Sequence, residues 1–219
     1  MIFMRKNNTR IRNADKARNS FVTRRAELKL SALGDLFKAA AGKHWRKTEI
    51  GTLKRKLYFS KYAYLDSLQL IYNWENRFMS VNYNLQMIVD IPTDKIVFEE
   101  TGSCHFVLHC EQGGLTGKRN YSWEYRKWQD GDLKLKEYID RLNNKLIIER
   151  LDSLDIMEIQ IQYESANNYW RISCESLIGS ATWILIPPVV SMITPGLDEC
   201  IKFLELYELL GDAVINNKI

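Results

Sequence analysis

The sequence is poor in the residues that mark disordered, disulfide-bonded or membrane-spanning chains. Its 219 residues include only 4 Pro, 11 Gly and 4 Cys. So few prolines and glycines argue against long disordered linkers, and four cysteines are too sparse for a disulfide scaffold at this length. The most apolar segment, residues 181–193, is interrupted by two prolines and is shorter than the roughly 20 residues that span a bilayer. We therefore expect a cytoplasmic globular protein with reduced thiols.

Positive charge is concentrated in the first part of the chain. Residues 1–61 hold 17 of the 31 Lys and Arg residues and four acids, whereas the remainder holds 14 bases and 23 acids. The formal charge of +4 therefore combines a basic segment with an acidic one. A segment of this charge density either attracts a polyanion or folds against acidic groups of its own chain or of a partner.

Hydrophobic spacing of three and four residues predicts a basic amphipathic helix that ends near Ala41 and Gly42, where glycine favours termination. Phe21 and Leu28 are expected to widen its apolar stripe. The stripe itself consists of Val22, Ala26, Leu30, Leu33, Phe37 and Ala40. Helical spacing recurs at residues 64–78, 132–151 and 194–211.

Alternation of apolar and polar residues predicts the strands. They fall at residues 81–91, 95–100, 103–110, 120–128, 156–163, 169–174 and 181–186.

These elements predict an α+β protein with a basic helical N-terminal segment over residues 1–61 and an α+β domain over residues 62–219. In that domain we expect a mostly antiparallel sheet with helices packed on one face. The order of strands, helix, strands and helix further suggests two weakly repeated units of strand meander plus helix, residues 81–150 and 156–213.

The stretch SCHFVLHC, residues 103–110, brings two cysteines and two histidines close together in the sequence. In a helix, His105 and His109 would lie one turn apart and could share a metal ion. Turn signals on both sides favour a strand, in which the two histidines would be about 13 Å apart and Cys104 and Cys110, on the other face, about 20 Å apart. Metal–ligand bonds are about 2.0–2.3 Å long. We therefore predict a half-buried strand and no metal site.

Motifs for catalysis are missing from the sequence. The loop QGGLTGKR has Gln112 and Arg119 where a phosphate-binding loop requires Gly and Ser or Thr. No G-x-S-x-G nucleophile motif occurs. Carboxylates are plentiful, but only a fold that joins distant acids would assemble an acid-pair site. We predict that the protein is not an enzyme and uses no cofactor, with a dispersed acid pair as the alternative left open.

Basic residues flank a row of aromatic residues within residues 118–127. Tyr121, Trp123 and Tyr125 would share one strand face, where aromatic rings beside cations can stack nucleobases or contact a partner. The alternative is that this row packs beneath a helix.

The basic segment is the strongest functional indication, because clustered bases neutralise phosphates in a salt-dependent manner. The alternative is a helix that covers the sheet while its bases stay in water. An acidic protein or an anionic membrane surface also fits the charge. The predicted nucleic-acid contacts are Arg18, Arg24, Arg25, Lys29, Lys38, Arg46, Lys47, Lys54, Arg55 and Lys56.

The sequence therefore favours a non-enzymatic accessory protein that binds nucleic acid through its basic N-terminal segment and docks a protein partner on its acidic α+β body. The alternative is a protein-interaction or chaperone-like adaptor that does not bind nucleic acid. Such an adaptor would receive a partner helix on its apolar stripe and exposed aromatics. An enzyme ranks third, and the sequence leaves the oligomeric state open.

Overall fold

The computed structural model describes residues 21–93, 105–113, 118–125, 133–184 and 189–216. The helices are α1 (Phe21–Ala41), α2 (Leu133–Leu142), α3 (Lys145–Asp152) and α4 (Leu197–Ile215), with a short 3-10 helix at Gly42–His44. The strands are β1 (Trp45–Gly51), β2 (Lys54–Phe59), β3 (Ser67–Arg77), β4 (Ser80–Pro92), β5 (His105–Gly113), β6 (Lys118–Tyr125), β7 (Ile156–Glu164), β8 (Tyr169–Ile184) and β9 (Val189–Met192). Predictions for Arg18, Cys104 and the strand at residues 95–100 lie outside the described residues.

The strands form one antiparallel sheet in the order β1-β2-β3-β4-β8-β7-β5-β6, and β9 pairs with β8. The predicted α+β class and antiparallel sheet are confirmed. β2 pairs with β3 across the predicted boundary at residue 61, and β4 of the first predicted unit pairs with β8 of the second. The division into domains and units stays a prediction.

Alternate residues of the sheet face the helices and form the core. On β4, the register places Met87 opposite Cys174 and Ile91 opposite Trp170, and all four side chains are buried. The Tyr207 hydroxyl of α4 donates to the Met87 carbonyl oxygen at 2.8 Å. Period-two burial of this kind forms when one face of a sheet is covered and the other stays accessible.

Helices α1 and α4 pack against each other over this face, with 6.2 Å between the ring centroids of Phe37 and Phe203. The predicted stripe of α1 forms the contact, since Ala26, Leu30, Leu33 and Phe37 are 0–1% exposed. After α1, Gly42 adopts a φ of 53°, a left-handed conformation that glycine reaches at low cost.

The two side chains expected to widen that stripe do not do so. Phe21 and Leu28 are exposed, so the stripe of α1 that the rest of the protein covers is narrower than the sequence pattern predicted. These two residues therefore lie outside the core.

Three predictions of secondary structure are wrong in part. Residues 64–78 contain β3 rather than a helix, residues 45–59 of the predicted helical segment form β1 and β2, and residues 132–151 contain two helices instead of one. Asn144 separates α2 from α3, since its side-chain oxygen accepts a hydrogen bond from the Leu146 amide at 2.9 Å. Asparagine is a favoured N-cap, so it starts a new helix at this point.

Strand β8 contains a wide bulge. Leu85 pairs with Ser176, whereas Tyr83 pairs with Ala181, so the four residues 177–180 of β8 lie opposite the single residue Asn84 of β4. Gly179 has a φ of 87°, and its carbonyl accepts a hydrogen bond from the Tyr72 hydroxyl at 2.6 Å. The bulge separates the part of β8 that pairs with β7 from the part that pairs with β9.

Candidate nucleic-acid interface

Four of the predicted contact residues lie on α1. Arg24, Arg25 and Lys38 are exposed, and Lys29 is half-buried. The Arg25 guanidinium carbon lies 4.4 Å from the ring centroid of Phe21. The first turns of α1 therefore present cations beside an accessible aromatic ring.

Four more predicted contacts lie on the β1–β2 hairpin. Arg46, Lys47 and Lys54 are exposed, and Lys56 is half-buried. β1 lies at the edge of the sheet, where bases also discourage pairing with a second sheet. The hairpin charge therefore has a structural explanation besides a functional one.

Tyr58 organises the charges on one face of this hairpin. The ammonium nitrogens of Lys47 and Lys56 lie 4.3 Å and 5.0 Å from its ring centroid. Its hydroxyl donates to Glu49 at 2.8 Å, and Lys47 donates to the same carboxylate at 2.9 Å. The hydrogen bonds from Lys47 and then Tyr58 lower the pKa of Glu49. The hydrogen bond to Glu49 raises the pKa of Lys47, so both groups stay charged at neutral pH.

A second aromatic ring lies beside a base where the hairpin meets α1. The Lys38 ammonium nitrogen is 4.3 Å from the ring centroid of Trp45. The indole NH of Trp45 donates to the Thr48 hydroxyl at 3.1 Å, which fixes the ring. Because Trp45 is half-buried, part of the ring remains accessible beside the cation.

Arg55 was predicted to contact nucleic acid and is instead a buried structural residue. It is 4% exposed, and its Nη2 donates to the Glu27 carboxylate at 2.8 Å and to the Ser31 hydroxyl at 2.9 Å. Its Nη1 donates to the carbonyls of Gly51 and Lys54, both at 2.8 Å. Since the guanidinium is already enclosed by these acceptors, Arg55 cannot reach a phosphate.

We call the remaining eight described bases the basic surface. Within the described part of the chain, Lys47 is the one member that forms a salt bridge. Lys43 and Lys61 are also exposed and were left out of the prediction, although they belong to the same run of bases. The basic surface consists of Arg24, Arg25, Lys29, Lys38, Arg46, Lys47, Lys54 and Lys56.

The predicted stacking row is covered only in part. Trp123 is 6% exposed and pairs with Leu108 of β5 on the face that α2 covers through Tyr138 and Phe106, whose ring centroids are 5.9 Å apart. Trp123 is therefore part of the buried core, which fits the alternative in which this row packs beneath a helix.

The two flanking tyrosines differ. Tyr121 is half-buried against the core, whereas Tyr125 is 51% exposed. Tyr125 is therefore the member of this row that stays accessible to a base or a partner.

The described part of the segment with the paired cysteines and histidines, residues 105–110, is a strand, as predicted. His105 pairs with Gln162, and its Nε2 is buried without a hydrogen-bond partner among the described residues. No three His, Cys, Asp or Glu residues of the described ranges come together in a way that could hold a metal ion.

The sheet face opposite the helices carries amide and charged side chains. Arg171 donates from Nε to Asp90 at 2.7 Å, and Gln86 donates to the Ser173 hydroxyl at 2.8 Å. Such cross-strand contacts stabilise an accessible sheet face.

Two carboxylates lie directly opposite each other on this face, Glu158 on β7 and Glu175 on β8. Partial burial, and then the charge of Glu158, raise the pKa of Glu175. Glu158 also accepts a hydrogen bond from the side-chain amide of Gln160.

The family described as protein of unknown function (DUF3156) matches residues 35–214. The chain belongs to the DUF3156 family. The DUF3156 match includes the β1–β2 hairpin and excludes Arg24 and Arg25 of α1. Comparison with curated proteins and with solved structures found no match.

None of the helices in the described residues is long and apolar enough to span a membrane. The longest, α1 and α4, have 21 and 19 residues. Both bury one side against the sheet or each other, and both carry charged residues on the rest of their surface.

Proposed function

We propose that this protein is a non-enzymatic accessory protein that binds nucleic acid through the basic surface. The observation that carries the proposal is the exposure of six of these eight bases together with their lack of carboxylate partners: of the eight, Lys47 alone forms a salt bridge in the described structure. Accessible cations that no carboxylate neutralises bind phosphates and release counterions, which gives affinity without base specificity.

The aromatic rings within the basic surface support a preference for single strands. Trp45 and Tyr58 each lie 4.3 Å from a lysine ammonium nitrogen. Single-strand binding combines cations that follow the backbone with aromatic rings on which bases stack. A duplex offers phosphates but keeps its bases stacked, so it would use the cations alone.

The acidic part of the chain would dock a protein partner in this proposal. The helix-free face of the sheet is lined by amides and by acids such as Asp90, Glu158 and Glu175. A protein partner of complementary positive charge would be oriented by this face.

The test is fluorescence anisotropy with labelled single-stranded and double-stranded oligonucleotides across a series of salt concentrations. The variant Arg46→Gln/Lys54→Gln should weaken binding about equally for all sequences and reduce the salt slope by about two, one for each lost phosphate contact. The matched control Lys136→Gln/Lys145→Gln removes the same charge from exposed positions on α2 and α3 and should bind like the wild-type protein. An equal loss of oligonucleotide affinity in both variants would show that only the net charge of the protein matters, and would overturn the proposal.

A protein-interaction or chaperone-like adaptor is the second candidate function. It is favoured by Leu28 and Ile50, which are 70% and 76% exposed on the elements that carry the basic surface. An adaptor predicts a salt-tolerant complex with an apolar partner helix, insensitive to nuclease and weakened by Leu28→Ser/Ile50→Ser. Nucleic-acid binding that weakens log-linearly with salt would exclude it as the main function.

A further inference from the structure

The β3–β4 hairpin ends in two large apolar residues. Arg77 pairs with Ser80, so Phe78 and Met79 alone form the turn. Two-residue turns favour Asn, Asp and Gly, yet Phe78 is 94% exposed and Met79 is 54% exposed. The residue preferences of two-residue turns do not explain why Phe78 and Met79 occupy this one. Residues that break a local sequence preference are expected at functional positions.

On the side of β2, the β3–β4 hairpin extends past the end of the β1–β2 hairpin. Lys54, at the start of β2, pairs with Ile71, and β3 continues to Arg77. These six further residues correspond to about 20 Å at the usual rise per residue. The turn of the β3–β4 hairpin therefore projects beyond the β1–β2 hairpin.

Indole rings lie behind the turn. Trp74 pairs with Tyr83, and Val81 pairs with Trp183 of β8. Trp74 is 36% exposed and Trp183 is half-buried. Tryptophan is enriched at the level of lipid headgroups, where its apolar ring and polar NH are both accommodated.

Positive charge lies at the same end of the molecule. The side chains of Thr23 and Tyr83 are hydrogen-bonded, which places the first turn of α1 over the outer half of the hairpin. Arg24 and Arg25 extend from that turn, and neither forms a salt bridge within the described residues. Cations behind an apolar tip are attracted by the negative surface potential of anionic lipids.

We propose that the β3–β4 turn inserts Phe78 and Met79 into the surface of an anionic membrane, with Trp74 at headgroup level and Arg24 and Arg25 contacting lipid phosphates. Phe78 and Met79 lie outside the basic surface, whereas Arg24 and Arg25 belong to both proposals. A membrane fits better than a protein partner because stable protein interfaces bury about 800 Å² on each side, which a two-residue turn does not offer. A bilayer needs only a narrow apolar projection beside bases.

The experiment is co-sedimentation of the full chain with vesicles of phosphatidylglycerol and phosphatidylcholine, and with vesicles of phosphatidylcholine alone, after nuclease treatment. The wild-type protein should sediment with the anionic vesicles. Phe78→Ser/Met79→Ser should lower the partition coefficient at least tenfold, and Arg24→Gln/Arg25→Gln should lower it several-fold on anionic vesicles. The control Leu146→Ser/Met157→Ser replaces two other exposed apolar residues and should partition like the wild-type protein.

The control readouts separate membrane binding from the alternatives. Phe78→Ser/Met79→Ser should keep the wild-type circular dichroism spectrum and oligonucleotide affinity, so failure of one proposal does not imply failure of the other. The inference is wrong if the wild-type protein ignores anionic vesicles, or if both serine variants partition alike. It is also wrong if Phe78→Ser/Met79→Ser abolishes self-association of the protein in analytical ultracentrifugation but binds vesicles as the wild-type protein does.

Discussion

Glu27 on α1 and Arg55 on β2 form an ion pair with an Nη2 to Oε2 distance of 2.8 Å. The same Glu27 carboxylate accepts a hydrogen bond from the Leu53 amide at 2.7 Å, and Leu53 holds the β1–β2 turn with a φ of 50°. One acid therefore fixes both the buried guanidinium and the turn that carries the exposed bases.

Replacing Glu27 by Gln should lower the free energy of unfolding by about 2–3 kcal/mol, because a buried guanidinium loses its counter-charge. Urea denaturation measures this change. Asp35→Asn, an exposed acid on the same helix, is the control and should change stability by less than about 0.5 kcal/mol. The double variant Glu27→Leu/Arg55→Met should recover part of the loss, and a double variant less stable than Glu27→Gln would contradict this account.

Gly179→Ala should destabilise the protein by about 2–3 kcal/mol, through overpacking and a left-handed backbone conformation. A Cβ at this position would lie 2.6 Å from Leu85 Cδ2 and 3.1 Å from Leu33 Cδ2. Thermal denaturation should show a clear decrease in Tm. Gly51→Ala is the matched control, since its nearest neighbour is Lys54 Cβ at 3.5 Å, and an equal loss in both variants would argue against a specific role for the bulge.

Glu208 of α4 binds the loop that joins β2 to β3. Its carboxylate oxygens accept hydrogen bonds from the amides of Ala63, Tyr64 and Leu65 at 2.9, 2.9 and 2.8 Å. Glu208→Ala should cost about 2–3 kcal/mol, since hydrogen bonds to a charged acceptor are the strong ones.

Hydrogen exchange measures the effect of Glu208→Ala at the loop directly. The three amides should lose protection in this variant. They should keep it in Glu205→Ala, which removes a more exposed ion pair with Arg150. Unchanged exchange in Glu208→Ala would show that the loop is held by other contacts.

Glu175 should make stability depend on pH. Its pKa is raised above 4.5 in the folded state, so the folded protein binds the proton more tightly than the unfolded chain. Stability from this group is complete below pH 4.5 and decreases as the pH rises through the folded pKa. Glu175→Gln should therefore gain stability relative to the wild-type protein at pH 7 and not at pH 4.

Denaturation with urea at both pH values measures the Glu175 effect. Glu158→Gln should shift the Glu175 titration, followed by carbon-13 NMR, towards pH 4.5, because it removes the neighbouring charge. A Glu175→Gln variant with the same relative stability at pH 4 and pH 7 would contradict the assignment.

Regular elements with a long, single period were predictable from the sequence. The central stripe of α1 and the alternating strand at residues 81–91 follow their patterns. The strand at residues 156–163 alternates from Ile159 onwards, because a register shift between Ile156 and Glu158 leaves Met157 exposed. The strand within residues 64–78 was not predictable, because a short apolar run fits both the period of a helix and the period of a strand. Leu68 and Tyr72 are spaced as in a helix, but Leu68, Leu70 and Tyr72 also alternate and are buried on one face of β3.

The exposure of individual bases was harder to predict than their number. Lys54, Arg55 and Lys56 are consecutive, and strand alternation turns only Arg55 towards α1. Its partner Glu27 is 28 residues away, so no local signal marks Arg55 as internal. Trp123 illustrates the same limit, since only the tertiary packing of α2 decides whether a strand aromatic is covered.

The position of β8 between β4 and β7 has a consequence for synthesis on the ribosome. β4 is complete at Pro92, but its partner strand begins only at Tyr169. The edge of β4 that pairs with β8 in the folded protein therefore keeps its backbone N–H and C=O groups unpaired while about eighty further residues are translated. Exposed strand edges of this kind pair with strands of other chains. We expect nascent chains that stall before β8 emerges to aggregate, whereas in the finished protein β8, the longest of the described strands, pairs with that edge.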